Sequence, residues 1–141
     1  MALYQTDYHA WALEQAEKLR KGEPIDTDNV AEELEDLGRS QRQQLVNRLA
    51  VLIAHVLKWE HQPLLRSKSW AGTIREQQKR IQRLLESMPS LQPLLAESIA
   101  EAYSIAVTFA STEMGVVEED FPAECPYSVD ELLARRYLLE C

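Results

Sequence analysis

A chain of 141 residues with 45% hydrophobic and 27% charged side chains is long enough to bury its own core and too apolar to be disordered. A formal charge of -8 argues against a dedicated nucleic-acid binder, which takes most of its affinity from a basic footprint, and it opposes attachment to an anionic membrane. The most apolar stretch, Leu49 to Leu57, is far short of a membrane span, and the N-terminus lacks the basic and apolar regions of a secretory signal, so the expectation is a cytoplasmic protein.

No segment alternates apolar and polar residues over a useful window, so no sheet is expected. The first helix is predicted from Thr6 or Asp7 to about Lys21, ending at Gly22-Glu23-Pro24, with Tyr8, Trp11, Leu13 and Leu19 on its apolar side. The second begins between Asp26 and Asn29, where Asn29 and Glu32 have capping-box spacing, and runs to about Glu60. Val30, Leu34, Leu37, Gln41, Leu45, Leu49, Leu52, Val56 and Trp59 recur along it at three- and four-residue steps, within a stripe about 100° wide. Gly38 is its weak point, about 1 kcal/mol less favourable than Ala, and the place where it would bend.

Gln62-Pro63 ends that helix. Ser69 is the expected cap of a third helix from Trp70 to about Met88, and Ser90 of a fourth that carries Pro93 in its first turn and ends at Gly115. Leu94, Leu95, Ile99, Ala102, Ile105, Ala106 and Phe109 should face inward from the fourth. Residues 113–134 hold seven acids and no Lys or Arg, and Ser128 with Glu131 forms a capping box for a last short helix through Tyr137. Cys125 and Cys141 sit in no CxxC pair; they are free thiols, or else a disulfide that ties down the tail. The expected architecture is all-α: one domain over 1–141, a helical bundle of about four main helices plus a short C-terminal helix, with 116–141 an acidic segment wrapped on the bundle.

Three groups of residues carry possible chemistry. Glu32, Glu33 and Asp36 belong to an acidic run at the start of the long helix; they are either a solvated helix start that suits the positive dipole end, or metal-binding carboxylates. The Glu-x-x-His spacing of di-metal bundles is absent, and 22 residues of unbroken helix would hold Glu33 about 33 Å from His55. His55 lies at the edge of the apolar stripe, as a boundary histidine bonded to a neighbour or as a ligand or general base. Trp11, Trp59 and Trp70 are packing residues or, with Lys58, the frame of a pocket or partner surface. Arg75, Lys79, Arg80 and Arg83 give the third helix a basic face. No phosphate loop, HExxH, GxSxG or Cys/His nucleophile arrangement is present.

Several segments together resemble the bacterial family known as domain of unknown function 29: Leu3-Tyr4, Asp7-Tyr8 and Trp11; Asn29 with Glu32 through Ser40; His55 to Trp59 with Gln62-Pro63; Ser69-Trp70 with Thr73-Ile74; and Pro89-Ser90-Leu91. The likeness covers nearly the whole chain and fades after Gly115. It implies an all-helical domain and supplies no catalytic residues.

The resulting functional expectation is a small module that binds another protein or itself, without cofactor or metal. Its candidate surface or pocket comprises Trp11, Glu32, Glu33, Asp36, His55, Lys58, Trp59 and Trp70. The alternative is a metal-binding or hydrolytic enzyme using Glu33, His55 and Lys58.

Overall fold

The computed structural model describes residues 3–139, and among them every regular element is helical. The chain forms two compact units, Met1–Gln41 and Arg42–Cys141.

In the first unit, α1 (Leu3–Thr6) and α2 (Tyr8–Lys21) precede α3 (Thr27–His61). Asp7 caps α2, its carboxylate accepting from the Ala10 N–H at 3.1 Å, and Gly22 ends it with φ 71°, a conformation that a side chain would strain. The helix α3 starts at Thr27, within the expected range but without the Asn29–Glu32 capping box, because Asn29 lies inside the helix and its amide donates to Asp26; it continues through Gly38 without a break. Its apolar stripe, however, is not inward along its whole length: Leu34 is 63% and Leu37 61% exposed. The cause is local, because α2 meets α3 through the polar side chains of Asp26 and Glu33 and leaves these leucines uncovered. Leu13 and Leu19 of α2 are exposed as well. Among the described residues of this unit only Trp11 and Gln15 are buried.

The second unit comprises the rest of α3, α4 (Lys68–Ser87), α5 (Leu95–Met114) and α6 (Val129–Leu133). Here the stripe is buried throughout, with Leu45, Leu49, Leu52 and Val56 at 0% and Trp59 at 2% exposure. Ile74, Ile81 and Leu85 of α4 and Ile99, Ala102 and Ala106 of α5 complete the core. Burying each large aliphatic side chain stabilises by about 1.5–3 kcal/mol. Ser67, not Ser69, caps α4, accepting from the Trp70 N–H at 3.1 Å. Ser90 caps nothing: Pro89 and Pro93 remove two N–H donors, so Pro89–Leu94 winds as a 3-10 turn and α5 begins at Leu95. Phe109, expected inward, is 62% exposed.

The acidic segment lies on α4 and α5 by side-chain clasps on its backbone. The buried Gln78 donates to the carbonyls of Leu132 (3.0 Å) and Arg135 (2.8 Å), Gln82 donates to that of Leu133, and the Tyr103 hydroxyl donates to that of Pro122. The Ser128–Glu131 capping box is formed, but α6 stops at Leu133. Tyr137 lies beyond the helix and is still buried, edge-on to Trp59, its hydroxyl donating to the Glu131 carbonyl. Cys125 is half-buried and free; its alternative partner Cys141 lies outside the described residues. Among the described residues no helix is long and apolar enough to cross a membrane.

Candidate functional site

Within the second unit, α3 and α5 flank a pocket of about 380 Å³. Ala50, Val51 and Ala54 recur along one face of α3, and Ile105, Phe109 and Ala110 along one face of α5, at the three- and four-residue steps that align side chains on a helix. The alanines leave the space and the larger residues wall it. Four polar residues interrupt the apolar lining: Asn47, His55, Lys58 and Glu113.

Lys58 is the single buried charged residue among those described, at 8% exposure. A buried ammonium is unfavourable unless paired. Its Nζ donates to Glu113 Oε2 at 2.7 Å and lies 5.2 Å from the centre of the Trp70 ring, a cation–π distance. The two partners are unequally fixed, since the Lys58 side chain is 10% exposed and that of Glu113 57%. No other hydrogen bond from Nζ exists among the described residues.

One turn before Lys58, His55 Nδ1 is 2.8 Å from the Val51 carbonyl. That carbonyl can only accept, so Nδ1 carries the proton and Nε2 keeps a lone pair. Burial pushes the imidazole below its ordinary pKa; the bond to Val51 opposes the shift, and the nearby Lys58 charge adds to it. His55 is therefore neutral at pH 7.

The first unit holds a different arrangement. The hydroxyls of Tyr4 and Tyr8 donate to the two oxygens of Glu33, at 2.6 and 2.5 Å, so one carboxylate clamps two rings. These bonds, with burial and the Glu33 charge behind them, raise both phenol pKa values. The rings pack in turn against Trp11, Tyr4 edge-on with centroids 4.7 Å apart and Tyr8 tilted at 5.6 Å. Trp11 Nε1 donates to Asp26 Oδ2 at 3.0 Å, as does Asn29 Nδ2 at 2.8 Å. Bonds from Asn29 and then Trp11 hold the Asp26 carboxyl below the usual carboxylate range. Glu33 thus has both oxygens engaged by tyrosines.

The eight candidate residues fall into separate groups. His55 and Lys58 line the pocket together and Trp70 backs the ammonium. Trp59 belongs to the core, against Tyr137 and under the Arg66 guanidinium at 4.9 Å. Trp11 and Glu33 belong to the tyrosine cluster. Glu32 is exposed, and Asp36 pairs with Arg39 on the same helix face. Among the described residues no three His, Cys, Asp or Glu side chains converge on a point that a metal ion could occupy.

Glu113 and Phe109 carry no motif and escape a sequence reading of the site, because only the pairing of α3 with α5 brings them to the pocket; Asn47 lies on α3 itself, about three turns before Lys58. The tyrosine clamp left one usable sign: Tyr4, Tyr8 and Trp11 fall at three- and four-residue spacing, and aromatic hydroxyls seek acceptors.

No curated protein and no solved structure matches the chain. One family model, described as domain of unknown function DUF29, matches residues 3–138. The span takes in both units and every residue of the pocket and of the tyrosine cluster, and the chain belongs to that family.

Proposed function

We propose that the protein is a helical interaction module that pairs with a second copy of itself through its first unit, two helical hairpins closing into a four-helix bundle. One observation carries the reading: the α3 stripe that is buried from Leu45 to Trp59 is more than 60% exposed at Leu34 and Leu37. With Leu19 and Tyr8 also exposed, this hairpin presents apolar surface that a two-helix unit cannot cover by itself.

Charge supports a second copy as the occupant. Glu33 pairs with Tyr4 and Tyr8, which sets Glu32, Glu35 and Asp36 towards the end of the hairpin where α2 begins. The basic last turn of α2, with Lys18, Arg20 and Lys21, lies at the other end. A two-fold, antiparallel pairing sets the acidic end of one hairpin against the basic end of the other, twice over.

Sedimentation equilibrium tests this. The wild type is expected to be a dimer and Leu34→Ser/Leu37→Ser a monomer with unchanged far-UV circular dichroism. A wild type that stays monomeric at every concentration, or a double variant that dimerises as well as the wild type, overturns the proposal.

A further inference from the structure

We propose that the pocket between α3 and α5 binds an amphipathic monocarboxylic acid, with its carboxylate on Lys58 in place of Glu113 and its hydrocarbon part against Ala50, Ala54, Ile105 and Phe109. The site lies wholly within the second unit, and the inference does not depend on self-association.

The lysine makes the argument. An exposed ion pair gains little stability, and a buried ammonium loses its hydration. Pairing a Lys58 side chain that is 10% exposed with a Glu113 side chain that is 57% exposed joins a desolvated charge to a partner still in water. That arrangement is a poor structural salt bridge. As a receptor for an anion it is well formed, because the cation is fixed in place and its present carboxylate can swing into solvent at low cost. Among the described residues only one of the three ammonium N–H groups has a hydrogen-bond acceptor, which leaves donors for both oxygens of an incoming carboxylate. The Trp70 ring at 5.2 Å keeps the cation stabilised during the exchange.

The rest of the lining selects for an apolar body. Six of the ten lining residues are Ala, Val, Ile or Phe, and a volume of about 380 Å³ lies within the range of small-molecule sites. Val51 and Phe109 line the pocket and are themselves exposed, at 41% and 62%, so they form an apolar rim that a chain can pass. His55 is neutral and offers a lone pair rather than a second cation, so Lys58 alone takes the charge. The lining includes no Ser, Thr or Cys hydroxyl or thiol, so no side-chain nucleophile of those types faces the ligand.

Isothermal titration calorimetry of the full chain with decanoate, decanol and decylamine, each below its micelle threshold, tests the proposal. Decanoate should bind, decanol should bind at least tenfold more weakly, and decylamine should not bind. Lys58→Met should weaken decanoate at least tenfold. Glu113→Gln should tighten it severalfold, because the competing carboxylate is gone. Val51→Trp, a rim substitution that fills the entrance, should block it.

Decanol or decylamine binding as tightly as decanoate overturns the proposal, as does no binding by the wild type. Loss of binding in Glu113→Gln also overturns it, since that result would make Glu113 the receptor. If Lys58→Met does not fold, the three-ligand series on the wild type decides the matter without any substitution.

Discussion

The two units of this chain are held by different forces. Residues 42–139 are organised by a continuous apolar core in which Leu45, Leu52, Val56 and Ile81 are wholly buried. Residues 3–41 bury only Trp11 and Gln15, and the bonds that join their helices are polar: two phenols on Glu33, an indole on the Asp26 carboxylate, and the Asp26 N–H on the Gln15 side-chain carbonyl. Apolar burial is additive over area and fixes a unit without outside help. Hydrogen bonds near solvent exchange with water and fix geometry more than stability. The first unit therefore has a defined shape with little stabilisation of its own, and its leucines remain available to another surface.

That contrast breaks most visibly in the core. Leu52→Ala removes a fully buried side chain and should cost about 3 kcal/mol, read as a lower urea midpoint for the cooperative transition of the second unit. A shift under about 1 kcal/mol would mean that the core is looser than its burial implies. The next effect comes from a polar residue inside that core. Gln78 is 1% exposed and its amide serves two carbonyls of the tail. Gln78→Leu leaves both acceptors without a donor, for a loss of about 2 kcal/mol and faster proteolysis of residues 121–139. An unchanged digestion pattern would show that apolar contacts of Leu132, Leu133 and Tyr137 hold the segment by themselves.

How much of this was legible in the sequence follows from the same division. The stripe on α3 is written as period and so were the helices, the Gly22 and Gly115 ends and the Ser128 box, because those features depend on neighbours three or four residues away. Periodicity says which residues share a face and is silent on whether anything covers that face. That is why Leu34 and Leu37 read the same as Leu45 and Leu49, although they are exposed. The cap stands at Ser67, two residues before the expected Ser69, because either serine suits the chemistry and no local pattern separates them. For the pocket, the α3 half was visible as His55 and Lys58 one turn apart. The α5 half, Glu113 and Phe109, depends on a contact spanning 55 residues between Lys58 and Glu113, which no local pattern encodes.

A smaller effect separates the units by where it is felt. Glu33→Gln keeps the shape of the side chain and removes the charge that accepts from both phenols. Amide exchange over Tyr8–Lys21 should quicken and the near-ultraviolet signal of the Tyr4, Tyr8 and Trp11 rings should weaken, while the urea midpoint of the second unit stays where it was. Raised exchange throughout residues 42–139 would mean that the units unfold as one and that the polar clamp supports the core too.

The smallest effect concerns His55, and its sign follows from burial. The folded pKa lies below the ordinary 6.5, so the unfolded chain takes up a proton that the folded chain resists. The contribution to stability is then fully present above the unfolded value and is lost as the pH falls through 6.5 towards the folded one. Asp26, whose carboxyl is held below the usual carboxylate range by Asn29 and Trp11, acts in a lower window, below about pH 4, so it does not overlap. Between about pH 7.5 and about pH 5 the second unit should therefore lose stability more steeply in the wild type than in His55→Gln, which has no imidazole to protonate. The two slopes, measured by urea melts at matched ionic strength, give the comparison directly. Equal slopes would mean that the imidazole is as well hydrated in the fold as in the unfolded chain, and that the pocket wall beside Lys58 admits water freely.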